Sequence, residues 1–271
     1  MNLYFAENMR LKKVLTILTS LYCVIYGIII YNRRGAIIAS VLMLILFIIL
    51  QITIYYIVGI RDQRKLNKIL TVLYTECNPK SFIERFDKII DLSILNNTTR
   101  FNILVHRANA FAYSNHFSEA YNLLDKLEVD ATKKSEKASI LSSRITYQML
   151  DYKSTNIDEE LKELEVLAFT SANKKRAPKK DFKRKYIQLQ IHNKILQNMA
   201  LSTSETAQLY EFIETENNPL NIENNRYYAA LFLIQEKDKV GAKEQLEKID
   251  IDRESTIIRE KAKALYDKLY N

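Results

Sequence analysis

The chain has 271 residues, a net charge of +8, and almost no backbone punctuation: four glycines and three prolines. A fold that turns often, such as a β-sandwich or a doubly wound α/β sheet, cannot be built from so few breakers, so an all-α fold is expected. Two cysteines, Cys23 and Cys77, give no disulfide framework and suit a reducing compartment. The abundance of Lys, Asn and Ile without Trp is the bias of an AT-rich genome and points to a bacterial source.

Residues 1–13 form a short flank carrying Arg10, Lys12 and Lys13. Two apolar stretches without a charged side chain follow, residues 14–31 and 36–60. As helices they would run about 27 Å and about 37 Å, each enough to cross a bilayer. Only Asn32-Arg33-Arg34-Gly35 joins them, so the expected element is a transmembrane hairpin over 14–60. Seven cations flank its outer ends (Arg10, Lys12, Lys13, Arg61, Arg64, Lys65, Lys68) against Arg33 and Arg34 in the turn. That excess places both termini in the cytoplasm, on a bacterial cytoplasmic membrane. The spans hold no Asp, Glu, His, Lys or Arg on which a proton or ion path could be built, which argues against a transporter, pump or intramembrane protease. Gln51, the most polar side chain of the second span, is expected to hydrogen-bond a neighbouring helix.

Residues 61–77 read as a juxtamembrane helix, with Leu66, Ile69, Leu70, Leu73 and Tyr74 at helical spacing. Asn78-Pro79 ends it and caps the next helix. Residues 78–271 form the cytoplasmic domain. Its apolar stripes fall into consecutive helix pairs, each too short to bury its own face, so stacked neighbours must share one core. Ser202-Thr203-Ser204-Glu205 offers a capping box. Asp158-Glu159-Glu160 suits a helix start, where carboxylates complement the dipole.

Within residues 104–127, Leu104, Ala108, Phe111, Asn115, Phe117, Ala120, Leu124 and Leu127 fall at the spacing of large and small positions in a tetratricopeptide repeat. Leu233, Ala242 and Leu246 repeat part of that register in residues 230–249. The cytoplasmic domain therefore resembles the tetratricopeptide-repeat family, although Glu160 stands where that family prefers Ala. The resemblance implies an α-solenoid that binds a protein partner. Leu104, Ala108, Phe111, Ala120, Leu124, Ala242 and Leu246 are then the positions that pack the paired helices.

No phosphate loop, nucleophile elbow or metal-ligand spacing is present, and the one glycine of the domain, Gly241, could not form either of the first two. The three histidines, His106, His116 and His192, lack a second ligand at i+4. His106 is expected on a helix surface or flank and His116 in a turn. No catalytic role and no cofactor is expected. The tyrosines Tyr113, Tyr121, Tyr227 and Tyr228 are read mainly as packing residues, with a groove contact as the second reading.

One basic run stands out: Lys174, Lys175, Arg176, Lys179, Lys180, Lys183, Arg184 and Lys185, opposed only by Asp181. It is expected to contact an anionic lipid or an acidic protein if it is not a solvated loop. Few aromatics interleave it, so nucleic acid is disfavoured. The function expected from these features is a membrane-anchored scaffold that holds a protein partner. Its rivals are an accessory subunit of a secretion, conjugation or export complex, and a lipid or nucleic-acid sensor using the basic run.

Overall fold

A computed structural model describes residues 6–31, 36–89, 97–152, 157–169, 180–253 and 256–270. The described residues are helical, with no strand among them: α1 (Ala6–Tyr31), α2 (Ala36–Tyr74), α3 (Pro79–Ile89), α4 (Asn97–Tyr113), α5 (Phe117–Asp130), α6 (Lys134–Asp151), α7 (Ile157–Phe169), α8 (Lys180–Leu196), α9 (Thr203–Thr215), α10 (Pro219–Gln235), α11 (Lys239–Glu247) and α12 (Ile257–Tyr270). The all-α class expected from the scarcity of glycine and proline is the one observed. The chain divides into two compact units, Met1–Ile69 with Phe86–Arg100, and Leu70–Arg85 with Phe101–Asn271.

In the first unit, α1 and the front of α2 cover the two apolar stretches. The segment Leu44–Tyr74 of α2 is long and apolar enough to cross a membrane, with a mean hydropathy of 2.1 in its most apolar window. In α1 the apolar helix is shorter, Lys13–Ile28, and the Arg33-Arg34 turn lies outside the described residues. The hydroxyls of Thr19, Ser20 and Thr53 donate to carbonyls one turn back, on Leu15, Thr16 and Ile49. This is how an apolar helix hides a polar side chain. Thr16 donates to Gln51 Oε1 at 3.4 Å, so the glutamine does meet a neighbouring helix. Most large apolar side chains here face outward, including Ile17, Leu21, Ile28, Leu44, Ile49 and Ile52. A water-soluble protein rarely leaves so contiguous an apolar surface uncovered.

In the second unit, α2 stops at Tyr74, three residues before Cys77. Cys77 takes a left-handed φ of 48°, and the Asn78 amide reaches back to the Val72 carbonyl at 2.9 Å. Asn78 then caps α3 as its sequence promised, its Oδ1 accepting from the Ser81 amide at 3.1 Å. The capping box at Ser202 also forms: the Glu205 amide donates to Ser202 Oγ at 3.3 Å, and the Ser202 amide to Glu205 Oε2 at 2.9 Å. The acidic start of α7 does more than meet a dipole, because Asp158 Oδ1 accepts from Asn193 of α8 at 2.8 Å and Glu160 from Gln148 of α6 at 3.2 Å. Both cysteines are free thiols.

Packing in this unit is serial. Each helix from α5 to α12 packs on the next, and α6, α8, α10 and α12 also pack on one another in turn. Helices α6, α8, α10 and α12 thus make one row, and α7, α9 and α11 back it. Buried residues on both rows build the core: Ala138, Leu141, Ile145 and Met149 of α6 meet Ile157, Leu161 and Leu164 of α7 and Tyr186 and Leu189 of α8. Small side chains are among the most deeply buried. Ala108, Ala120, Ala230 and Ala242 are all 0 % exposed, and Leu124 and Leu246 with them; Leu104 is buried and Phe111 half-buried. An alanine there lets two helix backbones approach closely, which a larger residue would prevent.

Candidate functional site

The even-numbered row encloses a groove of about 650 Å³. Its wall mixes polar and apolar surface, and its residues recur at helical spacing: Val105, His106, Asn109 and Tyr113 on α4; Ser139, Ser142, Ser143 and Thr146 on α6; Asp181, Phe182, Arg184, Lys185 and Gln188 on α8; Thr215 and Glu216 at the end of α9; and Asn217, Asn218 and Asn221 at the start of α10, with Tyr74 contributed by the end of α2. Each helix turns an apolar face to the core and a second, mostly hydrophilic stripe to the groove.

Hydrogen bonds hold the α4 end of the groove rigid. Asn109 Nδ2 donates to the Tyr74 hydroxyl at 3.2 Å, and Asn109 Oδ1 accepts from the Tyr147 hydroxyl at 2.7 Å. The Tyr74 oxygen lies 2.7 Å from His106 Nδ1. Because Asn109 already donates to that oxygen, the hydroxyl proton goes to Nδ1 and the ring proton is assigned to Nε2. Burial pulls the His106 imidazole down to about 4, so it is neutral at pH 7. Burial likewise pushes the Tyr74 phenol up to about 12, against a smaller opposing effect of the Asn109 hydrogen bond. His106 is therefore a neutral, half-buried groove residue and not the surface histidine its sequence position suggested.

On α6, Thr146 and Ser142 donate their hydroxyl protons to the carbonyls of Ser142 and Ser139, at 2.8 Å and 3.0 Å. Their oxygens retain acceptor capacity. Across the groove, Lys185 Nζ lies 3.3 Å from Gln188 Oε1, and Gln188 Nε2 donates onward to Asn225 Oδ1 at 2.5 Å. Burial lowers the Lys185 amine to about 8, opposed by a smaller upward pull from Glu216. Glu216 is itself tied to the start of α10, accepting from the amides of Asn217 and Asn218 at 2.9 Å and 3.0 Å.

The basic run meets a different fate from a solvated patch where it is described. Lys174, Lys175, Arg176 and Lys179 lie outside the described residues, and Lys180 opens α8. Lys183 Nζ sits over the Phe169 ring, 5.1 Å from its centroid. Arg184 donates to Thr215 Oγ1 at 2.6 Å and stacks over Phe212. Lys185 enters the groove. These three cations thus serve packing or line the groove rather than one outward face.

His192 is buried and stacked on Tyr228, with centroids 3.8 Å apart. Tyr113, Tyr227 and Tyr228 are buried, and Tyr113 reaches the groove wall. His116 lies in the turn before α5, as its neighbours indicated. Among the described residues no three His, Cys, Asp or Glu side chains gather closely enough to hold a metal ion.

Sequence reasoning missed the groove, although a signal was present: a polar residue every third or fourth position on α4, α6 and α8, opposite the apolar stripe. Without knowing that alternate helices share a row, these stripes read as ordinary solvated faces. No protein-family model, curated protein or solved structure matches the chain.

Proposed function

We propose that the chain is a membrane-anchored adaptor. Its apolar N-terminal hairpin tethers it with both termini in the cytoplasm, and its helical domain, a tetratricopeptide-like solenoid, holds a segment of a partner protein in the groove. The observation that carries this reading is the groove lined by alternate helices, most of whose side chains there are polar. Its amides, hydroxyls and neutral imidazole suit the hydrogen-bonding groups of an extended main chain, which presents donors and acceptors in quick succession. The outward apolar surface of α1 and α2 supports the tether. Tethering raises the local concentration of the partner, so modest affinity is enough.

Site-specific photo-crosslinking in native membranes tests the proposal. A benzophenone side chain at Ser142 or Asn221 faces the groove, whereas one at Glu163 or Glu214 lies on exposed positions of α7 and α9. The expected result is one discrete adduct from the groove positions that the outer positions do not give. Equal labelling from both sets, or none from the groove, refutes it.

A further inference from the structure

Several described cations of this unit are held by carboxylates, whereas Lys185, which lines the groove, is not. Arg144 holds Asp125 and Glu128, Lys194 holds Glu205, and Arg259 holds Glu223. Lys185 Nζ has only the neutral Gln188 Oε1, and no carboxylate lies within ion-pair distance of it among the described residues. A partly desolvated ammonium without a counter-ion is unfavourable, and a bound carboxylate would relieve it. Glu216 also lines the groove and pulls the amine upward, but its carboxylate is hydrogen-bonded to the Asn217 and Asn218 amides and makes no ion pair with Lys185.

The position of Lys185 narrows the ligand further. Groove residues of α4 and α6 lie on one side of α8 in the row, and those of α10 on the other. A chain ending at Lys185 would leave one of these walls without a partner. We propose that the groove takes an extended acidic peptide, with an internal Asp or Glu side chain paired to Lys185 and main chain continuing past it in both directions. The flanking main chain would meet donors at His106 Nε2 and Asn221 and acceptors at Ser142 and Thr146. This assignment rests on the reading of the groove as a peptide site.

The test uses the full chain in nanodiscs, immobilised and exposed to a random nonapeptide library with acetylated and amidated ends. A second library differs only in carrying free C-terminal carboxylates. Retained peptides from the capped library should be enriched in Asp or Glu at one internal position. Lys185→Met should reduce that enrichment about tenfold or more, the equivalent of one lost ion pair, while Lys185→Arg preserves it. Should Lys185→Met fail to fold, the enrichment of the native chain must still collapse as salt is raised. Retention without acid preference overturns the Lys185 assignment and leaves the peptide groove standing. Retention confined to free-ended peptides overturns the internal carboxylate. No retention from either library overturns the proposal, whereas the groove crosslink to a partner protein would then still report on the adaptor reading.

Discussion

Removal of the Glu223 carboxylate should destabilise the end of the helical unit about as much as loss of a large apolar side chain. Glu223 of α10 and Arg259 of α12 form a forked pair, Nε to Oε2 at 2.9 Å and Nη2 to Oε1 at 2.6 Å. Their side chains are only 10 % and 5 % exposed. Arg259 has weaker support nearby, from the Arg253 carbonyl at 3.3 Å and from the half-exposed Asp250 at 3.6 Å. Glu223→Ala therefore takes the forked carboxylate partner from a buried guanidinium, at a cost of about 3–5 kcal/mol. At about 2–4 °C per kcal/mol for a unit of this size, Tm should fall by roughly 6–20 °C. The double variant Glu223→Met with Arg259→Met removes both charges and keeps the volume, so it should regain most of that loss. Thermal melts of the chain in nanodiscs, followed by circular dichroism, read all three. A Glu223→Ala loss below about 1 kcal/mol, or a double variant no better than the single, would refute the claim that losing the forked partner of a buried charge sets the cost.

Ser202→Ala removes one arm of the capping box and should cost about 1 kcal/mol, read as a small drop in Tm. Ala242→Leu forces extra volume where α10 and α11 meet at a fully buried alanine, and should cost about 1–3 kcal/mol in the same melt. Acid should destabilise the fold through its histidines. His106 titrates near 6.5 when unfolded and about 4 when folded, so the unfolded chain binds more protons between these values and stability falls as pH drops from 6.5 to 4. Burial acts in the same direction on His192. A His106→Gln variant should flatten the dependence of Tm on pH across that window, and an unchanged slope would count against a buried neutral imidazole.

Local chemistry was legible along the chain. The stops at Asn78-Pro79, the capping box at Ser202 and the apolar stripes of α4 to α12 are short-range features, decided by residues within a turn or two of one another. The small positions Ala108, Ala120 and Ala242 were also readable, because helix pairs close in sequence must pack closely in space. The apolar stretches at the front announce themselves by composition alone.

Other features belong to residues far apart in the chain. His106 looks like a surface histidine until Tyr74, 32 residues earlier, is brought to its Nδ1. Glu223 and Arg259, 36 residues apart, resemble two ordinary solvated charges until α12 packs on α10. The basic run reads as one patch along the sequence, yet α8 turns Lys183 to Phe169, Arg184 to Phe212 and Lys185 into the groove. Hydrophobic periodicity states which face of a helix is buried. It does not state which polar faces of different helices will confront each other, because that depends on the row into which alternate helices are stacked. The sequence alone determined a helical protein with an apolar front and paired, closely packed helices; the tertiary structure alone decided where the groove lies, because a groove is made of the spaces between helices.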